Sequence, residues 1–186
     1  YLGLLVAFSI VNLVYLRRVN PELIDRRTRI TRGTKRWDVV WSIVFSPLFV
    51  AVYAVAGLDA GRYGWSSMPG WLWLVGLALF LLGMALFSRA MGENPFFEKT
   101  VRIQDERGHR VVETGPDRLV RHPGYLGFVG WILSTPFLLG SWWAFVPTLL
   151  SIAGMMVRTA VEDRTLKAEL PGYAEYANRT RYRLVP

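Results

Sequence analysis

Apolar residues along this chain gather in long runs instead of alternating or recurring on one face of a helix. Five runs can be marked: Tyr1 to Leu16, Trp37 to Ala56, Pro69 to Phe87, Gly124 to Leu139 and Trp142 to Thr159. A helix rises about 1.5 Å per residue, so about 20 residues cross roughly 30 Å of hydrocarbon. That layer offers no water to unpaired backbone groups, so runs of this kind are read as membrane-spanning helices. Pro47 interrupts the second run and predicts a kink there. Only Gly140-Ser141 separates the fourth run from the fifth, and so short a link forces an antiparallel hairpin that dips from one face and returns to it. The pattern predicts an all-α integral membrane protein with about five transmembrane helices, the fourth and fifth forming a closing hairpin. It reads as a single membrane-embedded domain over 1–186.

The polar segments between the runs add an orientation. The first loop carries Arg17, Arg18, Arg26, Arg27, Arg29, Arg32, Lys35 and Arg36 against Glu22 and Asp25, whereas the stretch from Gly57 to Met68 has only Asp59 and Arg62. The segment from Ser88 to Pro123 and the tail after Thr159 are again rich in Arg. By the positive-inside rule, loops one and three and the tail are expected on the cytoplasmic side, with the N-terminus outside. Five spans satisfy that parity. The basic first loop is expected to be either a solvated topogenic loop or a partly helical segment on the membrane surface. The expected location is a multi-pass position in a membrane, the plasma or inner membrane in a prokaryotic cell.

Composition supports this reading and removes several chemistries. The 186 residues are 52% hydrophobic and only 19% charged, below the roughly one quarter charged of soluble domains. Eight Trp and eight Tyr suit aromatic belts at the two membrane faces. The net charge of +8 lies in loops beside apolar runs, which points to anionic membrane lipids and not to nucleic acid. With no cysteine and only His109 and His122, disulfides, a Cys nucleophile and a His-built metal centre are not expected. The first run has no basic stretch before it and no small-residue cleavage site after it, so it is expected to be a first span trimmed at its start and not a signal peptide. The oligomeric state is left open.

Polar groups at the mouth of an apolar helix are costly to place and default to a functional reading. Arg121-His122-Pro123-Gly124-Tyr125-Leu126-Gly127 is such a cluster. Pro123 suits a first helical position, so a helix should begin at or just before Tyr125, its free N–H groups suited to a carboxylate. Arg158 and Glu162 lie four apart and share a helix face, with Asp163 adjoining. They read either as an ordinary salt bridge at a helix end or as an Arg gripping a carboxylate and an acid gripping an ammonium. Tyr173 and Tyr176, three apart on a C-terminal helix expected to be cytoplasmic, read as a belt pair or as a wall for a flat base. Asn94-Pro95-Phe96-Phe97 reads as a helix stop followed by an interfacial Phe pair, with a gate as the alternative. Phe128, Trp131, Trp142, Trp143 and Phe145 are candidates for a lateral substrate entrance or for lipid-facing positions.

Together these residues resemble a known signature. Thr114-Gly115-Pro116, Arg118, Val120-Arg121-His122-Pro123, Tyr125 and Gly127 are similar to "GPYRxVRHPxYxG". Arg158, Glu162-Asp163, Leu166, Gly172-Tyr173, Tyr176 and Tyr182-Arg183-Leu184-Val185-Pro186 are similar to its partner, "R…EExxL…GxxYxxYxxxxRxxP". Both belong to the isoprenylcysteine carboxyl methyltransferase family and its phospholipid N-methyltransferase relatives. Asp117 stands where that signature has Tyr, and Asp163 where it has a second Glu.

The resemblance implies an integral-membrane methyltransferase that uses S-adenosylmethionine. It divides the chain into variable membrane helices over 1–84 and a cofactor-binding half over 85–186. It implies cofactor contacts from Arg121, His122, Pro123, Tyr125, Gly127, Glu162, Asp163, Tyr173 and Tyr176, and catalytic roles for Arg158 and Glu162, with no metal. The expected acceptor is a carboxylate on an isoprenylcysteine-like or other lipophilic, prenylated molecule, because a carboxylate needs no base at neutral pH. Alternatives are S- or N-methylation of a small thiol or a phospholipid, an NADPH-dependent reductase of the sterol-reductase type, and a non-catalytic scaffold.

Overall fold

The computed structural model describes residues 1–27 and 33–185. Arg29, Arg32 and Pro186, named above, lie outside the described residues. Among the described residues seven α-helices follow in order: α1 (Leu2–Val19), α2 (Pro21–Arg27), α3 (Arg36–Ala56), α4 (Leu72–Glu93), α5 (Pro123–Leu139), α6 (Phe145–Glu169) and α7 (Tyr173–Arg179). No strand occurs among the described residues. The first loop is partly helical, since α2 occupies part of it.

Four of these helices are long and apolar enough to cross a membrane: α1, α3 with its continuation to Tyr63, α4 and α6. The fifth expected span, α5, is shorter at 17 residues. It still runs the length of the bundle. Its N-terminus lies beside the end of α6, where Tyr125 reaches Glu162, and its C-terminal turn meets Tyr1 at the start of α1. The five long helices therefore alternate in direction, with the Gly140 turn closing the α5–α6 hairpin in a left-handed conformation (φ 72°), where a glycine carries no steric penalty.

Helix ends and apolar runs differ in an instructive way. The run expected to start at Trp142 becomes helical only at Phe145 and continues to Glu169, well past Thr159. The third run, Pro69 to Phe87, becomes α4 over Leu72–Glu93. Pro47 stays within a continuous α3, and after Ala56 that helix widens into a π-type segment, Gly57–Tyr63.

Two ends of the bundle differ in chemistry. At one, the buried Asp59 carboxylate accepts hydrogen bonds from the Ser66 backbone N–H (2.7 Å), the Ser66 hydroxyl (2.5 Å) and the Ser141 hydroxyl (2.6 Å). This stitches the α3–α4 connection to the α5–α6 turn. Trp65, Trp71, Trp73, Trp142 and Trp143 are exposed around it, as expected for an interfacial belt. The opposite end collects the C-termini of α1, α4 and α6, the N-termini of α3 and α5, and α7.

The sides are apolar and open: Val6, Ile43, Leu82 and Leu149 are each more than half exposed. Such a surface needs lipid around it. Inside, Val52, Ala56, Ile132 and Ala144 form one packed cluster joining α3, α5 and α6, and Phe80, Met84 and Leu138 form another against α1.

The tightest crossing is between α4 and α5. A Cβ on Gly127 would lie 2.6 Å from the Gly83 carbonyl oxygen and 2.6 Å from the Phe87 nitrogen, and a Cβ on Gly83 would lie 2.8 Å from the Gly127 oxygen. These neighbours are backbone atoms and cannot turn aside, so small residues are what let the helices meet. Gly127→Val is expected to destabilise the protein by about 1–3 kcal/mol or more. Thermal unfolding in detergent would show a lowered midpoint; an unchanged midpoint would refute this account of the crossing.

Candidate active site

Each polar element of the sequence signature arrives at the same end of the bundle by a separate route. Pro123 opens α5 at its first position, with His122 as the preceding residue, and places Tyr125 on the helix face toward α6. The Tyr125 hydroxyl donates to Glu162 at 2.5 Å. The His122 and Tyr125 rings stack, with centroids 5.7 Å apart and planes 7° from parallel. Gly172, with φ 81°, turns the chain after α6 so that α7 lies across the site. There Leu170, Tyr173, Tyr176 and Ala177 pack with Leu166, Ile103 and Val111.

These elements border a cavity of about 110 Å³. Its walls include His122, Tyr125, Glu162, Tyr173 and Tyr176, together with Arg121, Pro123 and Gly124. The segment after α4 supplies the other side, including Phe96, Phe97, Gln104, His109, Val111 and Val112. Phe97 crowds the first turn of α5, because a Cβ on Gly124 would collide with its ring. Asn94 ends α4, and Phe96 and Phe97 after it line the cavity. Burial, then the adjoining Asp163 carboxylate, push the Tyr173 phenol well above its usual value; burial, then Asp117, do the same for Tyr176. Both stay neutral hydrogen-bond donors.

Behind the cavity lies a charged hub centred on Asp163, which is fully buried. Arg121 grips its carboxylate through two hydrogen bonds, Nε–Oδ1 at 2.7 Å and Nη2–Oδ2 at 3.0 Å. The Tyr173 hydroxyl donates at 3.1 Å and Arg183 Nε at 3.1 Å, with Lys167 Nζ 3.2 Å away. Arg121 also donates to the carbonyls of Thr180 (2.6 Å) and Arg181 (2.8 Å), and the backbone N–H groups of Arg121 and His122 donate to the carbonyls of Tyr182 and Arg183. The bidentate fork and these bonds pin the tail under the RHP segment. Arg121 and Asp163 are therefore occupied by protein partners, leaving Glu162 with the exposed edge toward the cavity.

Arg158 is likewise engaged. It forms an ion pair with Asp38 of α3 (Nε–Oδ1 2.9 Å), donates to the Lys99 carbonyl at 2.8 Å, and lies over the rings of Trp41 (4.8 Å) and Tyr125 (5.3 Å). Asp38 in turn accepts from the Val101 N–H at 2.8 Å. Neither Asp38 nor Trp41 was singled out from sequence. An acid just inside an apolar run was the available signal, but it sat among topogenic charges.

Gly127 is not part of the cavity wall; it is the contact point with Gly83, where its missing side chain serves helix packing. The aromatics proposed for a lateral entrance do not line the cavity either. Phe128 packs on Phe49, Trp131 donates to Tyr1, and Trp142 donates to the Ser67 carbonyl at the far end of the bundle. Conversely, Asp117, which the sequence showed only as a missing aromatic, is buried in the cavity wall.

The fold and site define a multi-pass helical membrane protein with a polar cavity between its last helices and its C-terminal segment. The chain belongs to the isoprenylcysteine carboxyl methyltransferase family, whose model matches residues 71–168. This match takes in all of α4, the whole first motif and the Arg158–Leu166 part of the second. Similar curated proteins are a probable protein-S-isoprenylcysteine O-methyltransferase of Oryza sativa subsp. indica, 35% identical over 66 residues (35% of each chain), and the protein-S-isoprenylcysteine O-methyltransferase of Schizosaccharomyces pombe, 40% identical over 75 residues (40% of this chain, 30% of that one). The matched segment spans about a third of the length of these relatives. The fold is similar to that of a eukaryotic intramembrane Ras methyltransferase, with a TM-score of 0.59 at 21% identity, covering 93% of this chain and 60% of the other.

Proposed function

We propose that the protein is an S-adenosylmethionine-dependent methyltransferase that methylates a carboxylate on a lipophilic, isoprenylcysteine-like acceptor. The observation that carries this reading is the convergence of His122, Tyr125, Glu162, Tyr173 and Tyr176 on one cavity. Family membership and the names of the relatives support the same chemistry.

The residues present fit the cofactor. Glu162 offers a carboxylate for an ammonium, the edge-to-face tyrosine pair of α7 offers aromatic surface for a purine, and the His122–Tyr125 stack closes the side between them. When bound, the cofactor supplies a methyl group on a sulfonium, a cationic donor. The chain's contribution is to orient, exclude water and hold donor and acceptor in line, which is where the catalytic gain of such a displacement resides. Glu162 places negative charge beside the cation, and the Tyr125 hydroxyl fixes that carboxylate's rotamer. Arg158, held by Asp38 above the Tyr125 ring, places positive charge on the side suited to an anionic acceptor. A carboxylate acceptor is already ionised near neutral pH, so the residues need supply no base. The site end is read as cytoplasmic on the charge pattern of the loops, and the division at residue 84 as a scaffold half and a cofactor half, with Asp38 and Trp41 reaching from the first into the second.

Glu162→Gln is expected to weaken S-adenosylhomocysteine binding more than tenfold, about 1.4 kcal/mol, with His122→Ala behaving similarly. Isothermal titration in detergent reads both, and NADPH serves as the contrasting ligand. Tight NADPH binding with no affinity for adenosyl ligands would overturn the proposal. Methyl transfer from a radiolabelled donor to prenylcysteine, phospholipid and thiol panels identifies the acceptor.

A further inference from the structure

Asp117 occupies a place that a buried acid does not hold without a reason. It is 6% exposed, sits in the short 3₁₀ turn Gly115–Arg118 and lines the cavity, and its Oδ2 has no hydrogen-bond partner. An orphaned buried carboxylate oxygen costs several kcal/mol of lost solvation unless something meets it. The turn itself is well held: the Tyr176 hydroxyl donates to the Asp117 carbonyl at 2.6 Å. That bond ties the turn to α7, where the Tyr173 and Tyr176 ring centroids lie 5.4 Å apart.

We propose that Asp117 reads the sugar of a bound nucleoside, its carboxylate accepting hydrogen bonds from the vicinal hydroxyls of a ribose. This rests on the cofactor reading given above and adds to it the residue that recognises the nucleoside part. Two acids line the cavity without an arginine partner, Glu162 and Asp117, and their surroundings differ. Glu162 already accepts from Tyr125 and belongs to the polar floor beside Arg158. Asp117 adjoins Tyr176, and Val111, Val112 and Tyr173 line the same cavity, surroundings suited to a purine and its sugar. A carboxylate and a cis-diol match as two acceptors and two donors, the pairing used wherever an acid recognises a ribose.

The environment makes this contact measurable. Burial, with a smaller contribution from Glu93 of α4, pushes the Asp117 carboxyl up to about 7. The other titratable groups lining the cavity are Glu98, Arg102, His109 and Arg110 of the segment after α4, Arg121 and His122 ahead of α5, Tyr125 of α5, Glu162 of α6, and Tyr173 and Tyr176 of α7. The diol needs the ionised carboxylate, so binding must release a proton when Asp117 starts protonated. Affinity is then nearly full at pH 8 and falls as pH drops through 7, by about tenfold between pH 8 and pH 6.

The test is titration of the full chain in detergent with S-adenosylhomocysteine and with its 2′,3′-dideoxy analogue, at pH 6 and pH 8. Expected for the wild-type protein are proton release near pH 7, measured in buffers of different ionisation enthalpy, and at least tenfold preference for the ribose ligand. Asp117→Asn, whose fold is checked by thermal unfolding, is expected to lose that proton release and most of that preference. A variant that keeps both, or a wild-type protein that releases no proton and ignores the diol, overturns the inference while leaving the cofactor reading in place. A wild-type protein that binds neither ligand overturns both.

Discussion

Asp163→Ala should be the most damaging single substitution in the chain, costing about 3–5 kcal/mol. The residue is fully buried, with the Arg121 fork, Arg183, Lys167 and the Tyr173 hydroxyl around it. Alanine would leave the Arg121 guanidinium buried beside further positive charge, without the carboxylate it grips. The same deletion would loosen the tail, because Arg121 reaches the Thr180 and Arg181 carbonyls from the orientation that Asp163 imposes. Two measurements check this: the thermal midpoint in detergent should fall steeply, and cleavage by trypsin after Arg179, Arg181 and Arg183 should accelerate. A variant as stable and as protease-resistant as the wild type would show that the hub does not hold the tail.

Asp38→Ala is the second. It leaves Arg158, whose side chain is 9% exposed, without its anion in the part of α6 that packs on α3, and the expected cost is again about 3–5 kcal/mol. Asp38 also caps the Val101 N–H, so the segment after α4 loses an anchor on α3. The informative variant is Asp38→Asn, which preserves shape and the Val101 bond while removing the charge. If Asp38 positions Arg158 for an anionic acceptor, Asp38→Asn should raise the acceptor KM severalfold while the affinity for S-adenosylhomocysteine stays within about twofold. Equal losses for both ligands would assign the pair to architecture alone.

The apolar runs marked where the chain meets hydrocarbon, and that much of the fold was legible directly. They did not mark where helices end. α6 continues to Glu169 because helical hydrogen bonding outlasts the membrane, and its polar last turns pack on the tail. α3 passes Ala56 into a wider turn because Asp59 draws Ser66 and Ser141 together, a contact between residues far apart in the chain. The site was legible where its residues sit close together in sequence, as in the Arg121–Tyr125 segment and the Glu162-Asp163 pair. It was not legible at Asp38, whose partner lies 120 residues away. Nor did residue type reveal the division of labour between the neighbouring acids. Helix geometry turns Glu162 toward the cavity and Asp163 toward Arg121, a difference of about 100° around the axis.

Gly83 and Gly127 touch no ligand site, yet they set its dimensions. The α5 N-terminus carries His122 and Tyr125, and its distance from α4 is fixed by two backbones in direct contact. Any side chain at either glycine would wedge the helices apart and carry the His122–Tyr125 stack with it. The pair acts as a spacer of zero thickness: the gap between α4 and α5 is as narrow as two bare backbones permit.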